Sequence, residues 1–275
     1  MEFNYEEFTK RQKYIFTKDE QEKIRRSKVG VFGVGGNGAP CAEALIRLGI
    51  GYLRIVDPDT IELSNLGAQP YNFMDIGRSK VIALSEKLKK INPLVKIDAV
   101  IDAINEKNVF KYLHGLEVVV DAMDDYRAKV ALARKAKEMN IPVVHTSGVG
   151  YRGSITVFLP ESGITYEDMF DLPSKNKPLD SISDEEFLKH RKKVANIICK
   201  NMFPDELINK MDKPDTPWHG IVVPCYVFGV WAALEVVKIL TGKFDKVIKA
   251  PNIIKIDFMN NKIEYVYITE KNKFS

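Results

Sequence analysis

The tightest constraint on this chain is an abrupt change of pattern between Lys28 and Asp59, KVGVFGVGGNGAPCAEALIRLGIGYLRIVDPD. Val29, Gly30, Val31 and Phe32 form a short apolar run that stops at Gly33-Val34-Gly35-Gly36-Asn37-Gly38, and Ala39 to Leu48 then reads as an apolar-faced helix. A strand that turns through glycines directly into a helix predicts the opening of a βαβ unit. In this spacing Gly33 permits the tight turn, Gly35 lets backbone approach a phosphate, and Gly38 lets the helix pack closely on the strand. The helix start offers free N–H groups and a positive dipole end to an anion. A second run, Tyr52 to Val56, stops at Asp57, 19 residues past Gly38, near where a ribose-binding acid belongs. A nucleotide is the expected ligand, because a merely structural glycine turn needs neither the helix nor the acid.

The same alternation continues. Ile76-Gly77-Arg78-Ser79-Lys80 introduces a helix over Val81 to Ile91, ended by Asn92-Pro93. Strands are expected at Val95 to Val100, Glu117 to Val120, Ile141 to Thr146 and Ser154 to Leu159, with helices at Asn105 to Leu113 and Arg127 to Met139 and a glycine-rich bend at Gly148 to Gly153. An apolar helix over Ile221 to Leu240 and a hairpin from Asn252 to Ile268 about Asn260-Asn261 close the chain. The pattern predicts an α/β fold: a doubly wound, Rossmann-like, mostly parallel sheet with antiparallel strands toward the C-terminal part. The 275 residues suit one large α/β domain with appendages at least as well as two domains. Residues 1–27 form a helical arm, 28–160 and 218–275 the body, and 161–217 an insertion or crossover region within it. That insertion is proline-rich and weakly patterned, as expected of a lid, a partner-binding loop or a disordered stretch.

Composition excludes more than it identifies. With 41 basic and 37 acidic residues the net charge is +4, too mild to indicate nucleic acid by itself. Three separated cysteines and no C-x-x-C pair argue against a disulfide framework and a thiolate zinc site. The start, MEFNYEEFTKRQKYIF, is charged throughout, unlike a secretory signal. The longest apolar run, Ile221 to Leu234, contains Pro224, ends at Glu235, and falls short of the roughly 20 residues that span a bilayer. A soluble, cytoplasmic protein with no membrane partner is expected.

A second place shows chemistry. The run Val118-Val119-Val120 ends in Asp121-Ala122-Met123-Asp124-Asp125, directly before a helix. Asp124 or Asp125 can cap that helix. Three carboxylates exceed what capping requires, and Mg²⁺ beside phosphate takes one or two carboxylates and keeps several waters.

Taken together, VGVFGVGGNG, IVDPDTIELSNL, DIGRSK, VVVDAMDD and WAALEVVKILTG resemble the ThiF/MoeB/HesA family, prokaryotic relatives of ubiquitin-activating enzymes. The resemblance runs from about Arg11 to the closing hairpin and covers the insertion weakly. It implies a homodimer that adenylates a carboxylate with MgATP, often the C-terminal Gly-Gly end of a ubiquitin-like sulfur carrier. One branch, the tRNA threonylcarbamoyladenosine dehydratases, activates a carboxylate on a tRNA nucleoside. By resemblance, Gly33, Gly35, Gly36 and Gly38 line the phosphate loop, Asp57 holds the ribose with Asp59 nearby, and Asn65 and Gln69 are polar site positions. Lys80 grips phosphate, Asp124 holds Mg²⁺, and Arg11 reaches into the partner subunit's ATP site.

The chain departs from the family pattern twice. Ala68 stands where the family has an arginine beside Gln69, with Arg78, Arg127 and Arg152 as substitutes in nearby segments. The paired zinc cysteines are absent, and Tyr166 to Phe170 lies where the first pair would fall, so no zinc is expected. Cys199 lies in the insertion where some activating enzymes carry a nucleophile, but after two isoleucines it also reads as a core residue; Cys41 and Cys225 read as packing. His145 at a strand end could face the site, and His219 is a weaker candidate. Two other readings stand beside adenylation. A catalytically impaired scaffold would explain Ala68, whereas an NAD-dependent oxidoreductase would use Gly33 to Asp57 but leave DIGRSK and VVVDAMDD unexplained.

Overall fold

The computed structural model describes residues 2–199, 205–210, 213 and 219–268. Helices α1 (Tyr5–Phe8) and α2 (Lys18–Arg26) precede β1 (Lys28–Phe32). Four helix–strand pairs follow: α3 (Gly38–Leu48) with β2 (Tyr52–Val56), α4 (Lys80–Ile91) with β3 (Lys96–Val100), α5 (Val109–Leu113) with β4 (Val118–Asp121), and α6 (Tyr126–Glu138) with β5 (Val143–Val149). After β6 (Arg152–Phe158) come α7 (Tyr166–Phe170), α8 (Asp184–Cys199), α9 (Asp205–Lys210), α10 (Val222–Leu240) and a hairpin of β7 (Asn252–Asp257) and β8 (Lys262–Tyr267).

The strands lie in the order β3-β2-β1-β4-β5-β6-β7-β8. The first five are mutually parallel, and each of the last three pairs antiparallel with its neighbour, so the sheet is of the expected class. Core residues of α3, α4 and α10 pack on one face, and those of α5, α6, α7 and α8 on the other. Strand order reverses between β1 and β4, which opens a crevice at the carboxyl ends of the strands. There Phe32 of β1, Asp121 of β4 and His145 of β5 stand side by side in register.

Three local expectations change. The glycine-rich bend is mostly strand, because β5 runs to Val149 and β6 begins at Arg152. Its glycines make room for α10: a Cβ on Gly153 would lie 2.1 Å from the Phe228 ring. Helix α5 begins later than expected, since Asn105 and Asn108 side chains accept the N–H groups of Lys107 and Asn105 at 2.9 and 2.8 Å and hold a turn instead. The apolar helix expected over Ile221 to Leu240 forms as α10 and continues through Glu235, so it is longer than the uncharged run. The buried Glu235 carboxylate accepts hydrogen bonds from Trp231, Lys238 and the Ile248 N–H, and Pro224 is harmless in the first turn of α10. This helix is apolar and long enough to cross a membrane, yet more than half of that window is buried within the fold.

The insertion contributes to the core. Tyr166, Met169, Phe170, Leu179, Phe187 and Val194 are buried in the second cluster, each worth about 1.5–3 kcal/mol if large and fully buried. Its weak pattern reflects short elements split by prolines. Arg134 of α6 fastens it with a two-point ion pair to Glu167 (2.7 and 2.8 Å) and hydrogen bonds to the Ser174 and Lys177 carbonyls.

At the other end, the N-terminal arm docks on the last turn of α3. Gln12, Gln21 and Tyr5 donate to the carbonyls of Arg47, Leu48 and Gly49 at 2.8, 3.1 and 2.9 Å, supplying partners that a helix C-terminus lacks.

Candidate functional site

The crevice holds a cavity of about 440 Å³, within the range of small-molecule sites. Its floor is the glycine turn between β1 and α3. Gly33 has a φ of +82°, and a Cβ on Gly38 would fall 1.8 Å from the Gly33 carbonyl oxygen, so both positions require glycine for the turn itself. Gly35 differs: a Cβ there would meet only the Gln69 amide, at 3.7 Å or more, which leaves open space over the start of α3. Gly36 lies against Cys225 of α10.

Asp57 directly follows β2 at the cavity wall, and its carboxylate accepts the N–H groups of Val34 and Asp59 at 2.8 and 2.9 Å. Burial raises its pKa, opposed by the Lys80 charge and these two hydrogen bonds. Lys80, buried at the start of α4, donates to Asp59 at 2.7 Å. Asn65 and Gln69 border the same cavity, with Asn65 also holding the Glu62 N–H at 3.0 Å. The buried side-chain oxygens of Asn37, Gln69 and Thr146, all on the cavity wall, have no hydrogen-bond partner among the described residues. Each orphaned group costs about 1–3 kcal/mol, which a ligand with hydroxyl or amino donors would recover.

The three carboxylates of the acidic tip take three separate places. Asp121 is buried, pairing with Lys129 (3.1 Å to each oxygen) and with His145 Nδ1 (2.9 Å). Burial alone would raise the Asp121 pKa, but the Lys129 charge and the His145 hydrogen bond outweigh it and bring it to about 2. Asp125 caps α6 by accepting the Ala128 N–H at 3.0 Å. Asp124 remains exposed on the cavity wall and without an ion pair among the described residues. One carboxylate facing a phosphate loop fits Mg²⁺, which completes its octahedron with phosphate and water. Among the described residues, no three His, Cys, Asp or Glu side chains cluster as a metal cage.

Arg11 is exposed and does not line this chain's cavity, since its neighbour Gln12 is tied to the far end of α3. The proposed substitutes for the missing arginine are engaged elsewhere. Arg78 pairs with Asp75 and Glu86, Arg127 with Asp184 and two insertion carbonyls, and Arg152 with Asp257. None of the three lines the cavity. Sequence reasoning missed Arg191 of α8, 8 % exposed and within electrostatic reach of Asp124 and Tyr126, both on the cavity wall. Its helix also supplies Val194 to that wall. Lys129 and Tyr166 were missed as well. A lysine between Ala128 and Val130 in an apolar helix stretch was the available signal for the first.

Cys41 is fully buried in α3, and Cys225 borders the cavity with burial pushing its thiol to about 11. Cys199 ends α8, and its side chain lies outside the described residues. His219 is held through its backbone, accepting the Gly150 N–H at 2.8 Å, and does not border the cavity.

Comparison with known proteins agrees with this architecture. The chain is 30% identical over 159 residues to the sulfur carrier protein adenylyltransferase of Thermus thermophilus, covering 56% of this chain and 59% of that protein. It is 35% identical over 138 residues to the tRNA threonylcarbamoyladenosine dehydratase of Haemophilus influenzae, covering 50% and 53%. The matched regions thus span little more than half of these relatives. Among solved structures, the Escherichia coli tRNA N6-threonylcarbamoyladenosine dehydratase in complex with ATP superposes with a TM-score of 0.63 at 21% identity, covering 88% of this chain and 96% of that one. Escherichia coli MccB with ATP gives 0.67 at 20% identity, covering 90% and 66%. The ThiF family profile matches residues 9–274, and the chain belongs to the ThiF family.

Proposed function

We propose that this chain binds MgATP in the crevice and adenylates a carboxylate. The observation that carries this reading is Asp124, a carboxylate without an ion pair among the described residues, on the same cavity wall as the open backbone at Gly35. An NAD-dependent oxidoreductase has no use for such a group, and a scaffold needs neither feature. In adenylation a carboxylate oxygen attacks the α-phosphorus and pyrophosphate leaves, so the protein's work is positioning and charge neutralisation. Asp57 receives the ribose hydroxyls, the start of α3 receives phosphate oxygens, and Lys80 exchanges Asp59 for phosphate. Bound Mg²⁺ would offset phosphate charge, with Asp124 as its protein carboxylate.

The chain acts as a homodimer in this proposal. With Gln12 docked on the far end of α3, its exposed neighbour Arg11 serves a partner subunit's cavity, and the exposed row Val223, Val227, Val230 and Leu234 of α10 offers an apolar contact surface. Named relatives act on sulfur carriers or on tRNA, so the carboxylate is the Gly-Gly end of a ubiquitin-like carrier or a tRNA-linked acid. Exchange of labelled pyrophosphate into ATP, measured with each class of carboxylate, tests this. Carboxylate-dependent exchange that Asp124→Asn reduces at least tenfold is expected. Exchange unchanged in that variant would contradict the assignment.

A further inference from the structure

The cluster Asp121, Lys129 and His145 exceeds what nucleotide binding requires. His145 and Lys129 border the cavity on the α6 and α7 side of the sheet, beyond the glycine turn from Asp57. With ribose at Asp57 and phosphate at the start of α3, this end of the crevice is where the activated acyl group lies. The imidazole is 2 % exposed, and its Nδ1 lies 2.9 Å from Asp121 Oδ2. Asp121 is ionised, so Nδ1 carries the proton and donates it, and the lone pair resides on Nε2. Nε2 has no protein partner among the described residues. The Tyr166 ring stands edge-on to the imidazole at 5.0 Å between centroids and, with Phe158, fixes its plane.

We propose that His145, oriented by Asp121, is the general base that discharges the acyl-adenylate, accepting a proton from an external N–H or O–H nucleophile. The proposal rests on the adenylation reading. The nucleophile's lone pair attacks the acyl carbon, its proton passes to Nε2, the bond from acyl carbon to phosphate oxygen breaks, and AMP leaves with that electron pair. Described thiols offer no rival on this wall: Cys225 is held protonated, and Cys41 is fully buried. The titratable and charged groups facing His145 are Asp121 from β4, Lys129 from α6 and Tyr166 from α7. Burial first and the Lys129 charge second lower the imidazole pKa, against the pull of Asp121, which keeps it unprotonated and able to accept at neutral pH.

Synthetic N-acetylglycyl adenylate with glycinamide as nucleophile bypasses the unknown substrate. AMP release and amide formation are followed from pH 5 to 8 for the native chain, His145→Gln and Asp121→Asn, with MgATP binding measured on each. The native chain is expected to accelerate aminolysis along a limb that rises through the histidine pKa. His145→Gln should lose about 10²- to 10⁴-fold of that rate, together with the limb, while still binding MgATP. Equal rates and pH profiles in the native and His145→Gln proteins overturn the proposal. So does a native protein that binds MgATP without accelerating aminolysis. A native protein that fails to bind MgATP defeats the adenylation reading itself, and this inference with it.

Discussion

Replacing Gly35 and Gly38 separately by alanine distinguishes a loop that binds phosphate from one that only turns. At Gly38 the added Cβ would lie 1.8 Å from the Gly33 oxygen and 2.9 Å from its carbonyl carbon. Helix α3 would have to retreat by about an ångström or more to reach ordinary contact, an overpacking that costs about 1–3 kcal/mol. At about 2–4 °C per kcal/mol for a chain of this size class, Tm should fall by several degrees. At Gly35 the Cβ meets nothing closer than the Gln69 amide at 3.7 Å, and φ is not positive. Gly35→Ala should therefore be neutral or stabilising by about 0.4–1 kcal/mol through the unfolded chain. The same methyl occupies the space of a phosphate oxygen. Losing one charge-assisted hydrogen bond, about 1.5–3 kcal/mol, weakens MgATP by roughly 10- to 150-fold. Thermal unfolding and calorimetric titration with MgATP read both effects. Native affinity in a folded Gly35→Ala protein would refute the placement of phosphate against this backbone.

Other outcomes follow from particular side chains. Arg191→Met should weaken MgATP by about tenfold while leaving adenosine binding unchanged, measured by calorimetry, because its helix reaches the cavity wall at Val194 and its charge acts on Asp124. His190 of α8 is fully buried, neither ring nitrogen has a hydrogen-bond partner among the described residues, and burial pushes its pKa down to about 4. The unfolded chain takes up that proton first, so stability is full above the unfolded histidine pKa of about 6.5 and falls as pH drops toward the folded value. Denaturant titrations at pH 7 and pH 4 should show His190→Leu recovering about 3 kcal/mol of the acid loss. An unchanged pH dependence in the variant would remove His190 as its source.

The glycine turn was legible because each residue there answers a local steric demand: Gly33 a positive φ and Gly38 a close approach. The parallel half of the sheet was legible from strands that end in turn residues. The antiparallel half was less so, because Gly148 and Gly153 looked like a bend but serve the packing of α10. The acidic tip showed its three carboxylates but not their division, which depends on Lys129 and His145 arriving from other elements. The insertion's place in the core was hidden because its apolar residues sit in short pieces held by Arg134, an ion pair with Glu167 across 33 positions. Arg191 went unnoticed for the same reason, since only the docking of α8 brings its charge within electrostatic reach of Asp124.

The most direct measurement is calorimetric titration of the native chain with ATP, with and without Mg²⁺, and with NAD⁺ as control. Micromolar binding of ATP that requires Mg²⁺ and is lost in Asp124→Asn, with no binding of NAD⁺, is the result this account predicts. Binding of NAD⁺ in preference to ATP, or ATP affinity indifferent to both Mg²⁺ and Asp124, would contradict it.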